Sequence, residues 1–345
     1  MSEDSMGRLF TNDYSETCRK EILDAIAEIG IGQNRGYGLD KHSENAEKLM
    51  LKRFGVRDGA VFFTAGGTQT NMTVLSFLLR PYEAVLACGS GHINVHETGA
   101  VEASGHKVVT VPGRDGKVLP EEIEAAVKKH CDEHMVKIRA VYISDTTEVG
   151  SVYSEAEILK IREICDRLGL LLFLDGARLG VALTCGANDI KPELLGKICD
   201  VFYVGGTKNG MLFGEAIVFK DKALAEEFRY HVKNRGAMLA KGFVPGVMFE
   251  RAFTEDLYFR IAEDTNRAAK YIGDNLRDRV EFLSEPVTNQ IFVIVKRTLG
   301  EALMSEFGCE LWEDRGESLV VRIVTSFATT KDDCDRLLGF FENNI

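Results

Sequence analysis

The chain has 345 residues, enough for two domains, and 45% of them are hydrophobic, as in ordinary packed globular proteins. A formal net charge of -11 argues against nucleic acid as a main partner, because phosphate backbones bind to basic surfaces. No stretch approaches the roughly 20 apolar residues of a membrane span, and the acidic N-terminus lacks the apolar core of a signal peptide. The eight cysteines are scattered without a Cys-x-x-Cys pair, which is typical of free thiols in a reducing compartment. We therefore expect a cytoplasmic protein that binds neither membranes nor nucleic acid.

From about residue 58 the sequence alternates between short apolar runs and amphipathic segments, which predict strands and helices respectively. The predicted strands are 60–64, 84–87, 107–111, 140–144, 170–174 and 201–204. The predicted helices are 67–79, 94–103, one that begins at Pro120, and one that Ser154 caps and that ends near residue 168. This alternation predicts an α/β fold with a mainly parallel sheet covered by helices on both faces.

The pattern changes near residue 248. A long helix is predicted over 249–276, followed by the short strands 280–283, 290–295, 309–312 and 319–324 and by a last helix over 331–342. We therefore predict a large α/β domain over 1–248 and a smaller α+β domain over 249–345. The first fifty residues predict one helix, 21–29, and a glycine-rich loop, which we expect to form an arm that packs on a partner subunit.

Two polar residues follow two of the predicted buried strands. Asp175 comes directly after the run 170–174, and Lys208 stands in a glycine-rich segment after the run 201–204. Because ligands bind at the carboxyl ends of the strands in open α/β sheets, both side chains are expected in one crevice. A lysine opposite an aspartate suits pyridoxal phosphate, since the lysine forms a Schiff base and the aspartate keeps the pyridine nitrogen protonated.

Two other predicted strands end in candidate ligands for the same cofactor. Gly67 and Thr68 open a helix, where free N–H groups suit a phosphate, although a plain strand-to-helix turn uses the same residue types. His92 follows the strand 84–87, where an imidazole can stack on a pyridine ring or move a proton. Without the other motifs, a helix-capping or core-satisfied histidine would be the preferred interpretation. His96 lies one helical turn further and is expected on the same face.

Arg178 and Arg322 are the candidate cations for a substrate carboxylate. Arg178 follows Asp175 by three residues, and Arg322 interrupts the apolar run 319–324, where a charge is paired or functional unless the position faces solvent. The guanidinium fork can grip a carboxylate with two hydrogen bonds, as an amino-acid substrate requires.

One further pattern, His130-x-x-Glu133-His134, matches the inverted zinc-peptidase motif. It lies in a strongly charged segment that is typical of a solvated helix face, and no third ligand is evident. We therefore predict no metal site.

Together these segments resemble the threonine aldolase family, within the aspartate-aminotransferase-like (fold type I) enzymes that use pyridoxal phosphate. The resemblance runs along nearly the whole chain, and Asp175-Gly176-Ala177-Arg178-Leu179 is its most specific part. The other segments that carry it are Asn12-Asp13-Tyr14, Tyr37-Gly38-Leu39-Asp40, Gly66-Gly67-Thr68-Gln69-Thr70-Asn71, Gly91-His92-Ile93, Thr207-Lys208-Asn209-Gly210 and Arg322-Ile323-Val324-Thr325. It implies a mainly parallel seven-stranded sheet between helices and a smaller C-terminal α+β domain.

The resemblance also implies a role for each candidate residue. Lys208 would hold the cofactor, Asp175 would pair with its ring nitrogen, and His92 would stack on its ring. The remaining implied roles are phosphate binding by Gly67 and Thr68, a cofactor contact by Arg178, and binding of the substrate by Asn12, Tyr37, Arg178 and Arg322. Family members are dimers or tetramers with sites between subunits, so a homodimer or homotetramer is expected.

The chain departs from the family pattern in three places. The usual Glu-Asn-Thr-His-Asn reads Ser-Asp-Thr-Thr-Glu over 144–148, so Thr147 replaces a histidine near the substrate hydroxyl. His96 stands where a tyrosine is common, and Leu239 replaces an arginine. Our hypothesis is that His96 or a phosphate-bound water takes over from the missing histidine, which makes His96 a catalytic candidate beside His92, Asp175 and Lys208.

Three functions follow as hypotheses. The favoured one is retro-aldol cleavage of L-threonine or L-allo-threonine, small β-hydroxy amino acids, to glycine and an aldehyde. The second is β-elimination from another small amino acid, which the missing histidine keeps open. The third is a non-catalytic binding subunit, which the presence of Lys208, Asp175 and Arg178 together disfavours.

Overall fold

Within residues 9–344, which this computed structural model describes, seven strands form the main sheet. They are β1 (Ala60–Thr64), β2 (Glu83–Cys88), β3 (Lys107–Val111), β4 (Lys137–Ser144), β5 (Leu171–Asp175), β6 (Val201–Gly205) and β7 (Glu215–Phe219). Their order is β1-β7-β6-β5-β4-β2-β3. β7 runs antiparallel to both of its neighbours, and the pairs from β6 to β3 are parallel. The predicted mainly parallel seven-stranded sheet is confirmed, although β7 was not predicted.

Helices cover both faces of this sheet. The helices of the described chain are α1 (Lys20–Ile29), α2 (Lys41–Arg53), α3 (Gly67–Leu78), α4 (His92–Val95), α5 (Ala100–Ala103), α6 (Pro120–Lys129), α7 (Glu155–Leu168), α8 (Leu179–Thr184), α9 (Pro192–Ile198), α10 (Phe228–Asn234), α11 (Phe243–Phe253), α12 (Leu257–Leu276), α13 (Arg297–Phe307) and α14 (Lys331–Asn344), of which α13 and α14 pack with the second sheet described below. β5 shows why two layers are needed: Leu172 and Leu174 lie in one apolar core and Phe173 lies in the other. Alternate side chains of a strand point to opposite faces, so a continuous apolar run requires cover on both sides.

Local signals account for several helix ends. Ser154 caps α7 by accepting a hydrogen bond from the N–H of Glu157, whose side chain bonds back to the N–H of Ser154. Gly169 ends the same helix at φ 67°, a left-handed conformation that glycine adopts at little cost. Asp40 caps α2 in the same way by accepting from Ser43 at 2.9 Å, a signal that our prediction for the first fifty residues missed.

Two predicted helices are interrupted in the structure. The segment predicted as one helix over 249–276 is α11 followed by α12, because Glu255 and Asp256 between them are left-handed, with φ of 57° and 55°. The segment predicted as a helix over 94–103 is α4 followed by α5, separated at Thr98 and Gly99, with φ of 52° and 72°. In both segments the apolar spacing continues through the break, so periodicity alone could not locate it.

A second sheet follows in the described part of the chain, with four antiparallel strands in the order β10-β11-β9-β8. They are β8 (Glu281–Phe282), β9 (Gln290–Lys296), β10 (Glu310–Asp314) and β11 (Ser318–Val324). Together with residues of α12, α13 and α14 they enclose a separate apolar core, which agrees with a smaller C-terminal α+β unit. The boundary between residues 248 and 249 stays a prediction.

The beginning of the described chain packs against its own molecule. The N–H of Phe10 donates to the carbonyl of Phe307 at 2.8 Å, and the Phe10 ring lies in the core of the second sheet. α1 and α2 contact α11. The described part of the predicted arm is therefore integrated into this chain, and its contact with a partner subunit remains a prediction. In residues 9–344 no helix combines the length and apolar character that crossing a membrane requires.

Candidate active site

A cavity of about 350 Å³ opens where β5 and β6 end, and it contains both Asp175 and Lys208. The expectation that these strand ends meet in one crevice is confirmed. The full lining is Tyr14, Ala65, Gly66, Gly67, Thr68, His92, His96, Thr146, Glu148, Asp175, Ala177, Arg178, Tyr203, Thr207, Lys208 and Glu215. A cavity of this size falls within the range of about 300–1000 Å³ that small-molecule sites usually have.

Asp175 is the last residue of β5 and is 3% exposed. Its Oδ2 accepts hydrogen bonds from Asn71 Nδ2 at 3.0 Å and from the Tyr142 hydroxyl at 2.5 Å, and its Oδ1 accepts from the N–H of Ala177 at 3.0 Å. Burial raises the pKa of Asp175, but the nearby His92 and these hydrogen bonds outweigh burial and leave the pKa below its usual value. The side chain is therefore a fixed, buried carboxylate at neutral pH.

Lys208 lies in the turn after β6, on the floor of the same cavity. Burial lowers the pKa of Lys208, and the positive charge of Arg178 lowers it further, against the opposing effects of Asp13, Glu148 and Asp175. A lower pKa makes the neutral, nucleophilic amine more available.

Glu215 supports the turn that carries Lys208. Its two carboxylate oxygens accept from the N–H of Gly206 at 2.9 Å and from the Thr207 hydroxyl at 2.8 Å. Burial raises the pKa of Glu215 to about 7, although these bonds and Lys208 act in the opposite direction. A buried acid therefore holds the two residues that directly precede the lysine.

The N-terminus of α3 faces the cavity. Gly66, Gly67 and Thr68 line the cavity, and no side chain in the described part of the chain caps this end of the helix. A Cβ added at Gly66 would meet no atom within 4 Å, so the space beside this turn is open. The exposed N–H groups of such a turn attract a phosphate.

His92 is oriented by a buried carboxylate. Its Nδ1 lies 2.8 Å from Oε1 of Glu97, whose side chain is fully buried and which also accepts from Asn71 Nδ2 at 2.7 Å. Burial lowers the pKa of His92, but the hydrogen bond with Glu97 and the negative charges of Glu148 and Asp175 raise it more, so the net shift is upward. Asn71 thus links Glu97 to Asp175, and one hydrogen-bonded chain positions both the histidine and the aspartate.

Arg178 lines the cavity, but much of its guanidinium group is already paired. Its Nε and Nη2 donate to Oδ2 and Oδ1 of Asp13 at 2.7 and 3.0 Å, and both side chains are buried. Asn289 Nδ2 also donates to Asp13 at 2.9 Å. No partner for Nη1 of Arg178 lies within residues 9–344, so the end of the fork remains for a ligand.

Three residues expected at the site lie elsewhere in the single chain. Arg322 donates to Glu310 on the neighbouring strand β10 and does not line the cavity. Asn12 uses its side-chain oxygen to accept from the N–H of Tyr14 at 3.0 Å. Tyr37, which is 45% exposed, lines a different cavity of about 280 Å³. None of the three lines the Lys208 cavity in the single chain, and their roles at the site stay predictions.

Sequence analysis assigned no role to several residues that line or support the cavity: Asp13, Asn71, Glu97, Tyr142, Glu148, Tyr203 and Glu215. Asp13, Asn71 and Glu97 are among the residues that carry the family resemblance. Two of the others, both tyrosines, could have been recognised as site residues from the sequence. Tyr142 and Tyr203 place hydroxyl groups inside apolar strands, and a buried tyrosine hydroxyl usually has a hydrogen-bond partner. Here the Tyr142 hydroxyl donates to Asp175 at 2.5 Å, and the nearby Tyr203 hydroxyl also acts to lower the pKa of Asp175.

A second buried acid, Asp145, lies just after β4 and carries a prediction about stability. Burial raises its pKa to about 8, although Oδ1 accepts from the N–H of Tyr153 at 3.4 Å. Between the ordinary aspartate pKa and pH 8 the folded state binds more protons than the unfolded state, so this group costs stability as the pH rises. At about 1.4 kcal/mol per pKa unit, the loss amounts to several kcal/mol.

We expect Asp145→Asn to lose less stability than the wild type between pH 6 and pH 9, because its side chain does not ionise. Thermal unfolding at several pH values checks this. The matched control is Asp278→Asn, the same change at an exposed carboxyl group. Parallel curves for Asp145→Asn and the wild type would contradict the assignment.

The residues around the cavity fit pyridoxal phosphate. The open turn at the start of α3 suits the phosphate group, the ionised Asp175 suits a protonated ring nitrogen, and the Lys208 amine suits the aldehyde. In residues 9–344 no cluster of three or more His, Cys, Asp or Glu side chains could hold a metal ion. The segment with His130 and His134 forms the end of α6 and the turn after it, and is not part of the cavity.

Comparisons with known proteins agree with this geometry. The family model described as beta-eliminating lyase matches residues 10–298. A low-specificity L-threonine aldolase from Pseudomonas aeruginosa is 33% identical over 299 residues, which cover 85% of each chain. A solved structure of Leishmania major threonine aldolase superimposes with a TM-score of 0.95 at 39% identity, and covers 98% of this chain and 99% of that chain.

More distant structures share the fold alone. A serine palmitoyltransferase from Sphingomonas wittichii superimposes with a TM-score of 0.74 at 14% identity, over 98% of this chain and 87% of that chain. The fold is therefore that of the fold type I enzymes. The chain belongs to the threonine aldolase family, among the pyridoxal-phosphate-dependent beta-eliminating lyases.

Proposed function

We propose that this protein cleaves L-threonine and L-allo-threonine, as β-hydroxy amino acids, to glycine and acetaldehyde by a retro-aldol reaction. The observation that carries the proposal is the shared cavity of Lys208, Asp175 and the open N-terminus of α3, in a chain 33% and 39% identical to threonine aldolases. Bound pyridoxal phosphate supplies the electron sink that stabilises the negative charge left on Cα. The rest of the chemistry is orientation and proton movement by residues of the chain.

Lys208 and Asp175 have complementary tasks in this proposal. The amine of Lys208, with its lowered pKa, would hold the cofactor through its aldehyde group. The Asp175 carboxylate, which its hydrogen bonds keep ionised, stabilises a positive charge on the ring nitrogen. Gly67 and Thr68 hold the phosphate through the N–H groups of the first turn of α3.

Arg178 is our candidate for holding the substrate carboxylate. Asp13 engages the Nε side of the guanidinium group and fixes its orientation, while Nη1 remains for the substrate. Holding the carboxylate orients the reacting bond, which is a large part of catalysis in such reactions. Roles for Asn12 and Arg322 in the same grip would require a rearrangement of their present contacts.

We also propose a homodimer or homotetramer with active sites at subunit interfaces. Tyr37, Leu39 and Tyr230 are exposed, and Tyr37 and Leu39 border a cavity outside the Lys208 site. Large apolar side chains on one surface support an interface there, and Tyr37 would reach the site of a neighbouring subunit. The free thiols of all eight cysteines support a reducing compartment such as the cytoplasm.

The test is an assay of the purified protein with L-threonine and with L-allo-threonine, in which glycine and acetaldehyde are measured beside the visible absorbance of the cofactor. Release of both products from either substrate supports the proposal. The description of the matching family as beta-eliminating lyase favours one alternative, β-elimination. Ammonia and a keto acid from a serine- or cysteine-like substrate, without glycine from threonine, would favour that alternative.

A further inference from the structure

The side chain of Glu148 lies half-buried in the wall of the Lys208 cavity. Its carboxylate accepts no hydrogen bond and forms no ion pair within residues 9–344. Most other carboxylates at this site are paired: Asp13 with Arg178, Glu97 with His92, and Asp175 with Tyr142. The negative charge of Glu148 acts on the nearby cationic groups of His92, Arg178 and Lys208. Since no direct bond engages the carboxylate, it is available for a group that a ligand brings.

The backbone around Glu148 is fixed by hydrogen bonds from two directions. The N–H of Thr147 donates to the carbonyl of Ser151 at 2.9 Å, which closes the loop on itself. From the side of the second sheet, the Ser284 hydroxyl donates to the carbonyl of Val149 at 2.6 Å, and the Thr288 hydroxyl donates to that of Gly150 at 2.9 Å. The carboxylate therefore projects from a rigid loop, as an oriented catalytic group requires.

The neighbouring Thr147 is turned away from the cavity. Its Oγ1 lies 2.8 Å from the hydroxyl oxygen of Ser151 and 3.3 Å from the carbonyl oxygen of Asp115, and the residue is buried. Threonine at this position therefore does not take over the work of the histidine that the family pattern has there. The next side chain, Glu148, is the one that the loop directs into the cavity.

We propose that Glu148 is the catalytic base that accepts the proton of the substrate's β-hydroxyl group, an inference that rests on the proposed function. In this step the O–H bond breaks, the proton moves to a Glu148 carboxylate oxygen, and the O–H electron pair completes the aldehyde carbonyl. The Cα–Cβ bond breaks, its electron pair stays on Cα, and a later proton on Cα gives glycine. Glu148 then releases its proton to water.

His96 is the competing candidate. It lines the same cavity, and its ring centroid lies 5.5 Å from that of His92 and 6.1 Å from that of Trp312. His96 is exposed, and its ring contacts both of these aromatic side chains. Glu148 is less exposed and lies in a loop that three hydrogen bonds to its backbone hold in place, so the structure assigns the proton transfer to Glu148.

The test separates the β-hydroxyl step from the rest of the chemistry. Threonine cleavage needs a base for the β-hydroxyl group, whereas exchange of the Cα proton of glycine does not. We would measure, for Glu148→Gln in the cofactor-loaded enzyme, cleavage of L-threonine, glycine Cα-proton exchange in D₂O by NMR, and the dissociation constants of cofactor and glycine. Glu155→Gln, the same change at an exposed glutamate at the start of α7, is the matched control.

We expect Glu148→Gln to lower kcat for cleavage by about 10²- to 10⁴-fold, the usual contribution of a general base. Glycine exchange and both dissociation constants are expected to stay within about threefold of the wild type, since Glu148 forms no hydrogen bond or ion pair with Lys208 and takes no part at Cα in this proposal. Glu155→Gln should leave all four quantities unchanged. Glu148→Ala is expected to behave like Glu148→Gln, with partial recovery of cleavage in formate.

Three results would overturn the assignment. One is cleavage by both Glu148 variants within about threefold of the wild type. Another is an equal loss of cleavage and of glycine exchange, which would give Glu148 a role at Cα instead. The third is a selective loss of cleavage in His96→Phe with none in Glu148→Gln. A wild-type enzyme that exchanges the glycine proton but does not cleave threonine would contradict the proposed function itself, and with it this step.

Discussion

Lys208→Ala is expected to lose the visible absorbance of bound pyridoxal phosphate and at least about 1000-fold in kcat, the scale on which removal of a covalent catalytic group acts. Lys208 is the lysine among the described residues that line the cavity, and its burial lowers its pKa. No neighbouring amine is placed to replace it. The measurements are an absorbance spectrum of the purified variant with added cofactor and the rate of glycine formation from L-threonine.

The control for this variant is Lys197→Ala. Lys197 is exposed on α9, outside the cavity, so its removal should change neither the spectrum nor the rate. A Lys208→Ala protein that kept the absorbance of a lysine-bound cofactor would contradict the assignment, because another amine would then hold it. Both conclusions require that the Lys208→Ala variant is folded, which circular dichroism verifies.

Asp175→Asn is expected to lower kcat/KM by about 100-fold or more, because a neutral amide cannot stabilise a positive charge on the ring nitrogen. The change also affects the apoprotein. Tyr142 and Asn71 both donate to Oδ2 of Asp175, and an amide NH₂ at that position would oppose them. A buried donor left without a partner costs about 1–3 kcal/mol, so the melting temperature should fall as well.

Tyr142→Phe is the comparison that separates these two effects. It removes one hydrogen bond to Asp175 but keeps the carboxylate, so we expect a loss of stability similar to that of Asp175→Asn with a much smaller loss of kcat/KM. Steady-state kinetics and thermal unfolding of both variants provide the data. Equal kinetic losses in the two variants would show that the hydrogen-bond network, and not the charge of Asp175, carries the effect.

Much of the chemistry could be predicted from local sequence. Asp175 and Lys208 follow apolar runs that can only be buried strands, and the carboxyl ends of neighbouring parallel strands meet at one edge of a sheet. The glycines before Thr68 predict an uncapped helix start, and the structure has one at α3. The mainly parallel sheet followed from the same alternation of strands and helices, whereas the order of its strands was not predicted.

The structural features that the sequence did not predict have a common cause. The break between α11 and α12 and the antiparallel strand β7 interrupt no apolar pattern, since they depend on how distant segments pack. The partners of Arg178 illustrate the same point: Asp13 lies 165 residues away in sequence, and nothing in either local segment indicates the pair. Partners that lie so far apart in sequence can be identified only from the tertiary structure.

The sequence by itself therefore determined the α/β architecture, the lysine and the aspartate at neighbouring strand ends, and the family, because these depend on periodicity and on short motifs at strand ends. The tertiary structure alone decided which side chains surround them. Asn71, Glu97 and Tyr142 converge on Asp175 and His92 from three separate elements, and the loop after β4 places Glu148 in the cavity while turning Thr147 away. The physical reason is that a buried polar group must find its partners in space, and those partners need not be near in sequence.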